Sequence, residues 1–161
     1  MNSYQPTPLG HVSKKVFDEL CKAGWSPDRD QASMASEYER ILSLKWIAEA
    51  APFIRSFGGL TISNNLSVGQ IPDHALRKHW SKVAEVAGSK VVPVASSSYL
   101  GDGCLIWVDE SGRYYAVDSE GMIFVGDDMA TVLEVLLGGE SLPEPPPELK
   151  DKLTAAYDWN K

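Results

Sequence analysis

The chain has 161 residues, 43% of them apolar, and a formal net charge of −7, which suits one domain with one core and excludes a disordered chain. Residues 1–90 carry eleven Lys and Arg against nine Asp and Glu, and residues 91–161 carry four against thirteen, so nucleic acid and anionic membranes are poor partners for the second half and a basic protein is a good one. No segment reaches the roughly 20 apolar residues of a membrane helix, and Met1 to Gly10 lacks the apolar run of a signal peptide, so a cytosolic protein is expected.

In chain order, Val12, Val16, Leu20 and Ala23 line one face of a helix predicted over about Val12 to Ala23. Gly24 suits the left-handed position after its last turn, which folds Trp25 back onto Leu20 as a core residue, and Pro27 stops the helix. A second helical region spans roughly Met34 to Ala50. Pro52 suits the first turn of a short helix, Pro52 to Phe57, that buries Phe53, Ile54 and Phe57. Gly58, expected in the left-handed conformation, ends it together with Gly59. Leu60 to Ile62 starts a strand, and Asn64-Asn65 turns it back through Leu66 to Val68.

The next helix runs from Asp73, a candidate N-cap, to Ala87, with Leu76, Trp80, Val83 and Ala87 as its apolar stripe and Gly88 closing it. Four strands follow closely, at Lys90 to Val94, Gly103 to Val108, Arg113 to Val117 and Met122 to Val125. Two of their connections, Asp109-Glu110-Ser111-Gly112 and Asp118-Ser119-Glu120-Gly121, end in glycine as hairpin turns do. Asp127 or Asp128 caps a last helix whose face is Met129, Val132, Leu133 and Leu136 and which ends at Gly138. Helices, then an antiparallel meander, then a helix make an α+β single domain. The proline-rich run Leu142 to Glu148 reads as an extended strap, followed by a short helix docked through Leu149, Leu153 and Tyr157. The expected division is a domain over 1–139, able to fold alone, with the strap and helix over 140–161.

No pattern for catalysis, metal or cofactor emerges. His74 and His79 stand five apart, not the four that stack two ligands on a helix face, and His11 is remote from both. Asp109 to Glu120 has the length and end residues of a calcium loop, but its sixth position, which needs glycine, holds Tyr114, and its fifth holds Arg113. Phosphate loops and the Gly-x-Ser-x-Gly elbow are absent, and Ser96-Ser97-Ser98 has no nearby His. Cys21 and Cys104 are too few for a disulfide framework, and their apolar neighbours predict two buried, inert thiols. No catalytic residue, metal ligand or cofactor is assigned. An enzyme built on carboxylates from distant segments stays as an alternative.

One ordered set of landmarks is more specific. Ala23-Gly24-Trp25-Ser26-Pro27-Asp28-Arg29 follows the first helix; then come Phe53-Ile54-Arg55-Ser56-Phe57-Gly58-Gly59-Leu60, Val92-Pro93-Val94, and Val108-Asp109-Glu110-Ser111-Gly112-Arg113-Tyr114-Tyr115. Gly126 precedes a helix ending in Leu136-Leu137-Gly138. Over about residues 17 to 138 this resembles the SUKH superfamily of bacterial immunity proteins, and within it the third subgroup. The resemblance implies a sheet flanked by helices and an antidote to a cognate toxin, often a nuclease or nucleic-acid deaminase, and it carries over no catalytic residue; a cytoplasmic monomer without chemistry of its own is expected. The resemblance also leaves room for an adaptor role, since the superfamily includes proteins that bind secretion or cell-wall signalling components.

A toxin that grips nucleic acid presents a basic surface, and this chain carries a matching run of acid. From Gly101 to Asp128 there are seven acids, Asp102, Asp109, Glu110, Asp118, Glu120, Asp127 and Asp128, and one base, Arg113. Turn and capping chemistry explains Asp109, Asp118 and one of the last pair, but not Asp102, Glu110 or Glu120. The acids are therefore expected to form one edge of the partner-binding face, with Trp107 or Tyr115 as its aromatic anchor.

Overall fold

The structure is a computed structural model and describes residues 4–7, 10–69, 73–100 and 103–156. Ahead of the first helix, β1 (Tyr4–Thr7) and β2 (Gly10–Ser13) pair as an antiparallel hairpin that the sequence reading missed. Val12, placed on the helix face by its spacing, instead lies buried in β2. Ser13 then caps α1 (Lys14–Lys22), its Oγ accepting from the Val16 amide at 3.3 Å. Glu134, from far along the chain, accepts from both the Ser13 amide and, at 3.0 Å, its hydroxyl. The helix closes as expected: the Trp25 amide donates to Leu20 O at 3.0 Å and the Gly24 amide to Cys21 O at 3.1 Å, with Gly24 at φ +100. This paired capping buries Trp25, which meets Phe17 edge-on and tilts against Phe57.

The second helical region is not one helix. α2 (Ala32–Leu42) stops at Ser43, which takes φ +51, and two short 3-10 turns, Ser43–Lys45 and Ala48–Ala50, lead into α3 (Ala51–Phe57). Pro52 sits in the first turn of α3 and Phe53, Ile54 and Phe57 are buried. Gly58 is not left-handed: its φ is −51 and its ψ 132, and it is Gly59 that takes φ +82. With the Leu60 amide donating to Phe57 O at 3.0 Å, the two glycines form the centre of a type II turn, whose second central residue requires positive φ. Gly58 is needed for space, because a Cβ there falls 2.5 Å from both Ile54 O and Met34 Sδ. The chain continues through β3 (Thr61–Ile62) and reverses at Ser63 and Asn64, both at positive φ, one residue earlier than expected, into β4 (Leu66–Val68).

α4 (Asp73–Ala87) ends at Gly88 as predicted; the Leu76 side chain lies outside the described residues. β5 (Val91–Ser97), β6 (Cys104–Asp109), β7 (Tyr114–Val117) and β8 (Met122–Gly126) then complete a six-stranded antiparallel sheet in the order β3-β4-β5-β6-β7-β8. Pro93 is tolerated inside β5 beside a register shift that leaves Val94 as an extra residue. Side chains alternate between two cores, as the pleat dictates. Cys104, Ile106 and Val108 of β6 point into the core formed with α1, α3 and α5 (Met129–Leu136). Leu105 and Trp107 point into a second core, closed by Val83 of α4 and by Leu149 and Leu153 of α6 (Pro147–Ala156). Both faces of the α+β sheet are therefore covered.

Asp128, not Asp127, caps α5, its Oδ1 accepting from the Thr131 amide at 2.7 Å. Residues 137–146 carry the chain from α5 on one face, past the β8 edge, to α6 on the other. Helix α6 opens at Pro147, inside the run read as strap, because proline is well placed in a first helical turn. Tyr157 lies outside the described residues. Of the two cysteines only Cys104 is buried; Cys21 is exposed on α1.

Candidate partner-binding surface

The residues expected to form one acidic edge divide by topology into two groups. The β6–β7 turn and the end of β8 lie at one end of the sheet, since Tyr114 pairs with Gly126; the β7–β8 turn lies at the other. Glu110, Asp127 and Asp128 therefore share one end, and Asp118 and Glu120 the opposite end. The four-residue strand β7 between them spans roughly 14 Å. Asp102 lies outside the described residues.

Three of the expected site residues are interior. Trp107 and Tyr115 are fully buried in the second core, where Trp107 meets Trp80 of α4 edge-on at 5.3 Å and Tyr115 meets Phe124 at 6.2 Å. Neither reaches the surface to anchor a partner. The reason is that α4 and α6 cover the face that a half-solvated sheet would have left open. Asp109, 1% exposed, organises the β6–β7 turn instead of facing a partner. Its Oδ1 accepts from the Ser111 amide at 2.8 Å and the Arg113 amide at 3.1 Å, and its Oδ2 from the Tyr115 hydroxyl at 2.7 Å. Burial, and then this bond to Asp109, raise the Tyr115 phenol well above its ordinary range.

The remaining acids are at the surface or half-exposed, and most have local duties. Asp118 Oδ1 accepts from the Glu120 amide at 2.7 Å and the Gly121 amide at 3.1 Å, the side-chain turn that acidic residues favour. Glu110 accepts from the Lys90 amide at 2.9 Å. Glu120 and Asp127 are exposed, and among the described residues no bond of either side chain contributes to a turn or cap. Arg113, the one base of the stretch, is held by Glu148 of α6 at 2.6 Å, and this partner raises its pKa. The segment Asp109 to Glu120 thus contains strand β7 between two turns and is no calcium loop. Among the described residues, no group of three or more His, Cys, Asp or Glu is placed to hold a metal.

Apolar side chains that the sequence reading did not single out do reach solvent. Leu44 is 87% and Ile41 62% exposed at the end of α2, and Tyr99 and Leu142 are each about half exposed. Leu44 follows the left-handed Ser43, and its carbonyl accepts from Lys90 Nζ at 3.3 Å, which ties it to the Glu110 end of the sheet. Two concavities flank the β8 edge. A small one at the Asp118 end is lined by Leu100, Cys104, Asp118, Glu120 and Ile123. A larger apolar one of about 430 Å³ has Met122, Ile123 and Phe124 on one wall and Leu142, Pro143 and Leu153 among those on the other.

The described helices include none long and apolar enough to cross a membrane. No curated protein and no solved structure matches the chain. Residues 12–139 match the family model of the SUKH-3 immunity protein. That span begins at Val12 in the second strand of the hairpin and ends at Gly139, just after α5, so it contains the whole six-stranded sheet and leaves out α6. The five ordered landmarks of the sequence all fall inside it, and the chain belongs to the SUKH-3 immunity protein family.

Proposed function

We propose that this protein neutralises a cognate toxin by binding it in a one-to-one complex, as a cytoplasmic monomer, and that the toxin is a basic nuclease or nucleic-acid deaminase. Family membership over residues 12–139 is the observation that carries this reading. The charge distribution supports a basic partner, since the thirteen acids after residue 90 face only four bases. Such a field steers a basic protein into encounter at up to about 10⁸–10⁹ M⁻¹s⁻¹ at low salt. The protein then acts by occupying the toxin, not by modifying it. Its own contribution is a sheet, packed on both faces, that presents loops and the edge strand β8.

The test is capture of the tagged protein from its native host, followed by expression of the captured partner in cells with and without this chain. Cells are expected to die with the partner alone and to grow when the protein is co-expressed. Growth arrest that persists despite a folded protein at equal level overturns the immunity reading.

A further inference from the structure

β8 is the last strand in the sheet order and pairs only with β7. Every second residue of such a strand directs its amide and carbonyl outward, a ready template for another strand. The opposite edge, β3, has only two residues and offers much less. Residues 137–146 pass the β8 edge, yet among the described residues no backbone hydrogen bond joins them to β8. Pro143, Pro145 and Pro146 have no amide hydrogen to give. Pro143 and Pro145 line one side of the apolar groove of about 430 Å³, and Met122, Ile123 and Phe124 of the strand line the other. Half-buried Ile123 lines both this groove and the neighbouring concavity that holds Asp118 and Glu120. Neither of those carboxylates takes part in an ion pair among the described residues.

We infer that the β8 edge and its groove receive an extended segment of the toxin, aliphatic along its length and carrying a basic residue that reaches Asp118 and Glu120. This inference rests on the toxin-binding reading above and adds where and how the toxin sits. The free edge sets the conformation of the occupant, because only an extended backbone pairs with β8. The apolar walls set its side chains, and the unpaired carboxylates set the sign of its charge. Glu120, which turn chemistry does not require, thereby acquires a role.

The probe is the captured toxin, co-expressed with this protein and separated from it in denaturant. Leu142→Asp places a charge on the outer wall at a half-exposed position, and Glu120→Lys reverses the acidic end. Each is expected to leave the melting temperature unchanged and to weaken toxin binding at least tenfold. Asp127→Lys, at the far end of the sheet, is expected to stay within twofold of the wild type. In the wild-type complex, amide exchange within Met122–Gly126 is expected to slow at least tenfold. Unchanged affinity in both groove variants, or no slowing along β8, overturns the inference while leaving immunity standing. A wild-type dimer that Leu142→Asp splits without loss of toxin binding overturns it too, because the groove then houses a second copy. A toxin that does not bind the wild type removes the immunity reading itself, and this inference with it.

Discussion

Asp109 separates framework from binding surface most sharply, because its residue type suggests a contact and its geometry a structural task. The residue is 1% exposed and its carboxylate accepts three hydrogen bonds, at 2.7, 2.8 and 3.1 Å. Hydrogen bonds to charged groups contribute about 1.5–3 kcal/mol each. Tyr115→Phe removes one of them and leaves Asp109 Oδ2 without its partner, a loss of about 1.5–3 kcal/mol. Asp109→Ala removes all three and strands the Tyr115 hydroxyl inside the second core, for a cost of roughly 3–5 kcal/mol. The two side chains touch, so the double variant is expected to cost less than the sum by about 1 kcal/mol or more. Urea unfolding of the four proteins, followed by far-UV circular dichroism, measures the cycle. An Asp109→Ala variant as stable as the wild type but deficient in toxin binding would refute the reasoning and return Asp109 to the surface.

Other outcomes follow from the same geometry. Gly58→Ala is expected to cost about 1–3 kcal/mol through overpacking against the Ile54 carbonyl, and Gly59→Ala about 1–2 kcal/mol through its positive φ; Met34→Ala should not rescue Gly58→Ala, since the clash with backbone remains. A thiol reagent at pH 8 is expected to label exposed Cys21 at once and Cys104 only on unfolding, because burial pushes the Cys104 thiol from its ordinary 9.0 up to about 12. Between those values the folded chain keeps a proton that the unfolded chain releases, so stability should fall as pH rises through that window; a flat profile from pH 9 to 12 contradicts the burial. Truncation after Gly139 strips Leu149 and Leu153 from the second core and is expected to cost about 3–6 kcal/mol, at about 1.5–3 kcal/mol for each buried leucine. We propose that residues 1–139 still form the sheet, and an unfolded fragment would show that α6 is part of the folding unit.

Where local chemistry is decisive, the sequence announced the fold. Gly24 and Trp25 fixed the end of α1, the Asp127-Asp128 pair the start of α5 without saying which of the two caps it, and the two Asp-x-x-Gly turns the meander from β6 to β8. Three features escaped for physical reasons. Val12 fits a strand as well as a helix face, and the strand paired with it, Tyr4–Thr7, carries Pro6 with little apolar alternation. The break at Ser43 occurs without a glycine, inside a helical spacing that Leu42, Trp46 and Ala50 continue. Gly58 and Gly59 are the same residue, so only the turn geometry tells which one is left-handed. The binding surface was less legible than the fold. A run such as Cys104-Leu105-Ile106-Trp107-Val108 has no polar face, and that absence is the signal that the sheet is covered on both sides. Read so, it places Trp107 and Tyr115 inside, and the large apolar side chains that do reach solvent are Ile41, Leu44, Tyr99 and Leu142 among the described residues. Residue type marked Asp109 and Asp118 as turn groups, but only burial shows that Asp109 is interior, and only strand pairing shows that the described acids occupy two ends.

The central claim is inhibition by occupancy, and a titration tests it most directly. Purified toxin, assayed on its own substrate at a concentration well above its Kd, is mixed with increasing amounts of this protein. The account predicts activity that falls in a straight line and vanishes at one equivalent, with full activity recovered when the two are separated in denaturant and the toxin is refolded. Inactivation by a few per cent of an equivalent, or toxin that stays inactive after separation, would contradict it and point to chemistry performed on the toxin instead.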